Sequence, residues 1–113
     1  MGMNLVFLPD DSGGVKCLFQ PSDSFQGYDG LVHGGVIAAL LDGAMTNCLF
    51  AYGHEALTAE LKVRYRQPVL VDDEITVRAW IAKNSTRLYQ MQAELVQNNC
   101  VKVIATAKFM EKV

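Results

Sequence analysis

The stretch that decides the fold reads His33-Gly34-Gly35-Val36-Ile37-Ala38-Ala39-Leu40-Leu41-Asp42-Gly43-Ala44-Met45-Thr46-Asn47-Cys48-Leu49-Phe50-Ala51-Tyr52. Every residue between the glycine pair and Asp42 is apolar, and apolar residues resume after Thr46-Asn47. At helical period this is one helix from Gly35 to Tyr52 with apolar residues on nearly every side, the mark of a buried helix. Gly53 follows where a left-handed residue closes a helix C-terminus. Asp42 is the one charge in the segment. Burying an unpaired carboxylate is costly, so an acid kept there is a functional-site candidate.

Upstream of the helix, Gln20 to Leu31 is a connection rich in Pro, Ser, Asp and Gly, and connections of that length are often functional. Before it, Val15–Phe19 has strand-forming residues, and Leu5–Leu8 forms a short strand in a loose start that holds Pro9, Asp10-Asp11-Ser12 and Gly13-Gly14.

Downstream, strand follows strand. Leu57, Ala59, Leu61, Val63 and Tyr65 alternate with Thr58, Glu60, Lys62, Arg64 and Arg66, a period of two with one face on a core. Pro68 ends that run. Ile75, Val77, Ala79 and Ile81 repeat the pattern with Trp80 on the opposite face, as do Tyr89, Met91, Ala93 and Leu95. Asn98-Asn99 is a turn signal into the last strand, where Val101, Val103, Ala105, Ala107 and Phe109 face one way. Short connections between consecutive strands predict an antiparallel sheet. One buried helix and one sheet leave one packing solution, an α+β domain whose sheet curls around the helix.

With 113 residues, the chain 1–113 reads as a single domain without repeats or linkers. Half of its residues are hydrophobic, enough for a small core, and self-association would bury more apolar surface. A net charge of −2, with ten Lys and Arg spread along the chain, argues against nucleic acid or an anionic membrane as partner. No signal-peptide pattern is seen, and no apolar run approaches the roughly 20 residues of a membrane span. Cys17, Cys48 and Cys100 are odd in number and far apart, so they read as reduced thiols of a cytoplasmic protein. Two histidines without ligand spacing make a metal site unexpected.

The element order and the string Gly27-Tyr28-Asp29-Gly30-Leu31-Val32-His33-Gly34-Gly35-Val36-Ile37-Ala38-Ala39-Leu40-Leu41-Asp42 resemble the hotdog-fold acyl-CoA thioesterases, specifically the PaaI-like branch. Thr58 to Val69 is similar to that family's second strand, with Tyr65 and Pro68 at its end, and Asn84-Ser85-Thr86-Arg87-Leu88 sits where the family often has a Gly-Arg turn. The resemblance extends from about residue 15 to the C-terminus. It implies hydrolysis of an acyl or aroyl thioester to the acid and free coenzyme A, with the coenzyme A thioester as substrate and no metal or redox cofactor.

By the same resemblance, the Gly34 N–H binds the thioester carbonyl oxygen, and Gly35 leaves room for its approach. Unpaired N–H groups and the positive end of the helix dipole suit a developing oxyanion. Asp42 acts as general base for a water or as nucleophile. His33 is either an active-site donor or a residue that orients the loop. Thr46, one turn after Asp42, either orients the water or bonds back to the carbonyl four residues earlier. Thr58 matches a position where relatives carry a hydroxyl near the carboxylate, although strand parity puts it opposite Leu57 and Leu61. Some relatives carry an asparagine where Gly27 stands, and Gln26 is offered in its place. Arg87 is the candidate for coenzyme A phosphate. The resemblance also implies a dimer or tetramer with sites between subunits, so that Asp42 of one chain meets His33-Gly34 of another. Two rival readings stand beside it: a non-catalytic acyl-thioester binding or assembly module, and an acyl-thioester hydratase or dehydratase.

Overall fold

A computed structural model describes residues 6–10, 13–21, 26–27 and 30–112. Its elements are β1 (Leu8–Asp10), β2 (Gly14–Phe19), α1 (Gly34–Ala51), β3 (Ala56–Tyr65), β4 (Ile75–Ser85), β5 (Leu88–Gln97) and β6 (Cys100–Glu111). The six strands form one antiparallel sheet in the order β1-β2-β4-β5-β6-β3, with α1 laid across one face. This is the hotdog architecture. The first strand is shifted from the stretch expected at Leu5–Leu8: Leu5 lies outside the described residues, Val6 and Phe7 are not in a strand, and pairing with β2 begins at Leu8.

The alternation read from the sequence places the core. Ile75, Val77 and Ala79 of β4, Met91, Ala93 and Leu95 of β5, and Val103, Ala105 and Phe109 of β6 are buried under Ile37, Leu40, Leu41, Ala44, Met45, Cys48 and Leu49 of α1. On the opposite face of the sheet, Arg78 bonds both Asp10 (2.9 Å) and Glu94 (3.2 Å), tying β1, β4 and β5 together. Asn98 and Asn99 both adopt positive φ (53° and 60°), which the two-residue hairpin between β5 and β6 requires. Gly53 (φ 86°) closes α1: its N–H bonds Phe50 O at 3.0 Å, and His54 N–H bonds Leu49 O at 2.9 Å.

Two expectations are corrected. The helix is not buried on every side: Gly35, Ala39, Thr46, Asn47 and Phe50 are exposed along one face in the single chain, and Asp42 and Gly43 beside them are half-buried. By length and hydropathy α1 also passes the test for a membrane span, as core helices do, while its other face lies on the sheet. Second, β3 does not neighbour β4. It pairs with β6 at the sheet edge, because β4 is already flanked by β2 and β5. Residues 66–74 therefore cross the end of the sheet.

That crossing is held by one buried amide. Gln97, 1% exposed, accepts from Leu70 N–H (2.9 Å) and donates to Leu70 O (2.8 Å) and Asp73 O (3.0 Å). The crossing in turn pairs with the chain just before α1: Val32 N–H bonds Val69 O, and Val71 N–H bonds Gly30 O. The helix start is thereby fixed to the sheet.

Candidate active site

The start of α1 is organised by His33. Its backbone is extended (φ −60°, ψ 134°), and its Nδ1 accepts the Gly35 N–H at 2.8 Å, so the side chain caps the helix. Its carbonyl takes the N–H groups of Val36 and Ile37. The Gly34 N–H is left without an acceptor among the described residues, at the positive end of the helix. The Tyr65 hydroxyl donates to Gly34 O at 2.7 Å. Glycine is required at position 35 by the cap itself, since a Cβ there would lie 2.9 Å from His33 Cε1. Beside these residues opens a cleft of about 460 Å³ walled by Leu31, Val32, Ile37, Tyr65, Pro68 and Val69.

Eight residues further along the helix sits Asp42, half-buried. Its Oδ1 accepts the Thr58 hydroxyl at 2.8 Å, a bond between α1 and β3. The parity objection to Thr58 disappears at a β-bulge. Thr58 pairs with Phe109 and Glu60 with Lys108, leaving Ala59 as an extra residue. Thr58 therefore shares the helix-facing side with buried Phe109, while Leu57, opposite Met110, is 64% exposed on the other side. Beyond the bulge, Leu61 and Val63 return to the helix-facing side. The Thr46 hydroxyl donates to Asp42 O at 2.9 Å, the back-bond open to a mid-helix threonine.

Other candidates lie apart. Gln26 Oε1 accepts the Gly30 N–H at 3.0 Å, bracing the loop ahead of His33. Arg87 occupies the β4–β5 turn with φ 69°, and its carbonyl takes the Glu111 N–H at the end of β6. That turn lies toward the C-terminal end of α1, away from Gly34. Eight helical residues also separate Gly34 from Asp42 by about 12 Å, beyond the reach of one thioester carbonyl. Among the described residues, no group of three or more His, Cys, Asp or Glu could hold a metal ion. Gln97 is not among the residues expected from the sequence, whereas Tyr65, an aromatic candidate for lining the pocket, does wall the cleft. Their signal was parity, because both continue the inward-facing series of their strands.

A hotdog sheet therefore carries, on one helix, a capped start whose Gly34 N–H has no acceptor among the described residues and a carboxylate bound by a hydroxyl. Residues 29–104 match the family model of the thioesterase superfamily, and the chain belongs to that superfamily. The chain is 30% identical over 79 residues to acyl-coenzyme A thioesterase THEM4 of Bos taurus, covering 70% of this chain and 32% of that protein. It is 32% identical over 73 residues to acyl-coenzyme A thioesterase THEM5 of Homo sapiens, covering 65% and 29%. The chain thus spans about a third of the length of the curated relatives it matches. Among solved structures, a hypothetical thioesterase from Streptococcus pneumoniae TIGR4 with coenzyme A superposes with a TM-score of 0.88 at 19% identity, covering 96% of this chain and 89% of that one. A Streptococcus mutans UA159 protein bound to acetyl CoA superposes at 0.90 and 17% identity, covering 99% and 91%. At those identities the structural likeness speaks for the fold.

Proposed function

We propose that this chain hydrolyses acyl-CoA thioesters as a homo-oligomer, using Gly34 of one copy and Asp42 of another. The observation that carries the reading is the Gly34 N–H, without an acceptor among the described residues, at the start of the helix that bears the Thr58-bound Asp42 carboxylate. In the proposed reaction the thioester oxygen accepts that N–H. Water, deprotonated by Asp42, attacks the carbonyl carbon, and the tetrahedral oxyanion rests at the helix start. Collapse breaks the C–S bond, and the leaving thiolate takes the proton back from Asp42. Thr58 engages one carboxylate oxygen and leaves the other for the water. A single turnover in ¹⁸O-water tests the role of Asp42 as base: the base route labels the acid product, and an unlabelled acid with ¹⁸O in the Asp42 carboxylate would mean an anhydride opened by water at the aspartyl carbon.

Self-association is supported by three features. The 12 Å gap between Gly34 and Asp42 needs a second copy to close it. The ten-residue β3 is an edge strand among the described residues and can offer its outer backbone groups to another strand. The open face of α1 presents Gly35, Ala39 and Gly43 beside Phe50, which is 68% exposed. The relatives named for acyl-coenzyme A and the neighbours solved with coenzyme A or acetyl CoA support the substrate class. The three free thiols are in keeping with a reducing, cytoplasmic setting.

The test is thiol release from short, medium, long and aromatic acyl-CoAs by the parent and by Asp42→Asn. Turnover lost in the variant is the expected result. A folded, oligomeric parent that releases no thiol from any member overturns the reading in favour of a binding module.

A further inference from the structure

We propose that Tyr65 is a positioning residue for the Gly34 N–H, a role that rests on the reading of Gly34 as the group that receives the thioester oxygen. The argument starts from the peptide that follows Gly34. Its carbonyl oxygen accepts the Tyr65 hydroxyl at 2.7 Å, and its N–H, that of Gly35, donates to His33 Nδ1 at 2.8 Å. One peptide plane is thus held at both ends by two side chains from different elements. Because a peptide unit is planar, those two bonds fix its tilt and so restrict the ψ of Gly34, the torsion that links it to the preceding N–H.

This restraint is needed where it falls. Two successive glycines lack Cβ atoms and are the least restrained residues of the chain. The first turn of a helix also has no preceding turn to bond its N–H groups. The peptide that carries the Gly34 N–H is held on its carbonyl side, where His33 O takes the N–H groups of Val36 and Ile37. The next peptide must be held too if the glycine between them is to be set in advance for an oxyanion. Tyr65 supplies the restraint from the sheet. It is the last residue of β3, its ring packs 3.6–3.7 Å from the position a Gly34 Cβ would occupy, and it walls the cleft at the helix start. Its strand also carries Thr58, bonded to Asp42. One strand therefore sets both halves of the machinery, the carboxylate near its beginning and the amide at its end. If the assembly brings Gly34 of one copy to Asp42 of another, each β3 serves two sites.

The test is Tyr65→Phe, which keeps the ring and removes the hydroxyl. For the acyl-CoA turned over best by the parent, kcat is expected to fall about tenfold with KM within twofold and the melting temperature little changed. A readout independent of turnover is the amide spectrum of the ¹⁵N-labelled full chain. The ring, and hence its ring current, is retained, so movement of the Gly34 and Gly35 amide signals with faster exchange at Gly35 reports the lost bond. Unmoved Gly34 and Gly35 signals overturn the proposal whether or not the parent is active. A rise in KM that accounts for the whole loss also overturns it, because Tyr65 would then bind substrate directly. A parent without turnover in which both signals move refutes the thioesterase reading yet sustains Tyr65 as the residue that sets this amide.

Discussion

Thr58 Oγ1 lies 2.8 Å from Asp42 Oδ1, and the extra residue Ala59 puts it there by turning Thr58 to the helix-facing side of β3. A hydrogen bond to a charged group contributes about 1.5–3 kcal/mol. Thr58→Val keeps the shape and removes the donor, so kcat should fall about 10- to 100-fold on that basis, with the oligomer intact. Steady-state kinetics with gel filtration checks it, and an unchanged kcat would detach Thr58 from the chemistry.

Deleting Ala59 offers a stricter test of the bulge. Without the extra residue the ladder from Thr58 to Tyr65 slips by one, and one segment of β3 must turn its side chains over. Deletion is expected to abolish thiol release while Ala59→Ser, which keeps the count, preserves it.

Gly35→Ala would place a Cβ 2.9 Å from His33 Cε1 and 3.0 Å from its Nδ1. The imidazole must swing away, and the helix loses its cap, at a cost of about 1 kcal/mol. The melting temperature should drop by a few degrees, with a larger proportional loss of turnover. Chemical denaturation beside kinetics separates the two effects.

At Gly43, apart from its own stretch of helix, no atom of the described residues lies within 4 Å of where a Cβ would stand, so no packing among them explains a glycine in mid-helix. It costs about 1 kcal/mol of helix stability relative to alanine. The proposed close approach of a second copy would account for it. Gly43→Leu should therefore yield a folded, dissociated chain without turnover, seen together by sedimentation velocity and thiol release.

Burial pushes the Cys17 and Cys48 thiols above their ordinary value of 9.0, and burial with the nearby Glu111 carboxylate pushes the Tyr89 phenol above 10.0. The folded chain holds these protons to higher pH than the unfolded chain. Their contribution is complete below those values and is lost as pH rises through the folded ones. Denaturant midpoints should fall as pH is raised from 9 into the region above 10, and Cys48→Ala should flatten part of that fall. The buried thiols should also resist alkylation in the folded state.

The sequence by itself determined what depends on near neighbours. The helix from the His33 cap to Gly53, the inward residues of β4, β5 and β6, and the Asn98-Asn99 turn are set by periodicity and backbone preference within a few residues. That Gly34, Gly35 and Asp42 share one helix was legible for the same reason. Tertiary structure alone decided that β3 lies at the sheet edge against β6, that Ala59 is an extra residue, that Gln97 holds the crossing, and that Tyr65 reaches Gly34. Each of these rests on partners tens of residues away. Strand alternation cannot show a bulge, because the insertion is defined by the register of the opposite strand. Nor can it foresee a buried amide whose acceptors belong to a loop. The open face of α1 has the same origin: apolar content called for burial, and the fold of a single chain covers only the side that meets its sheet.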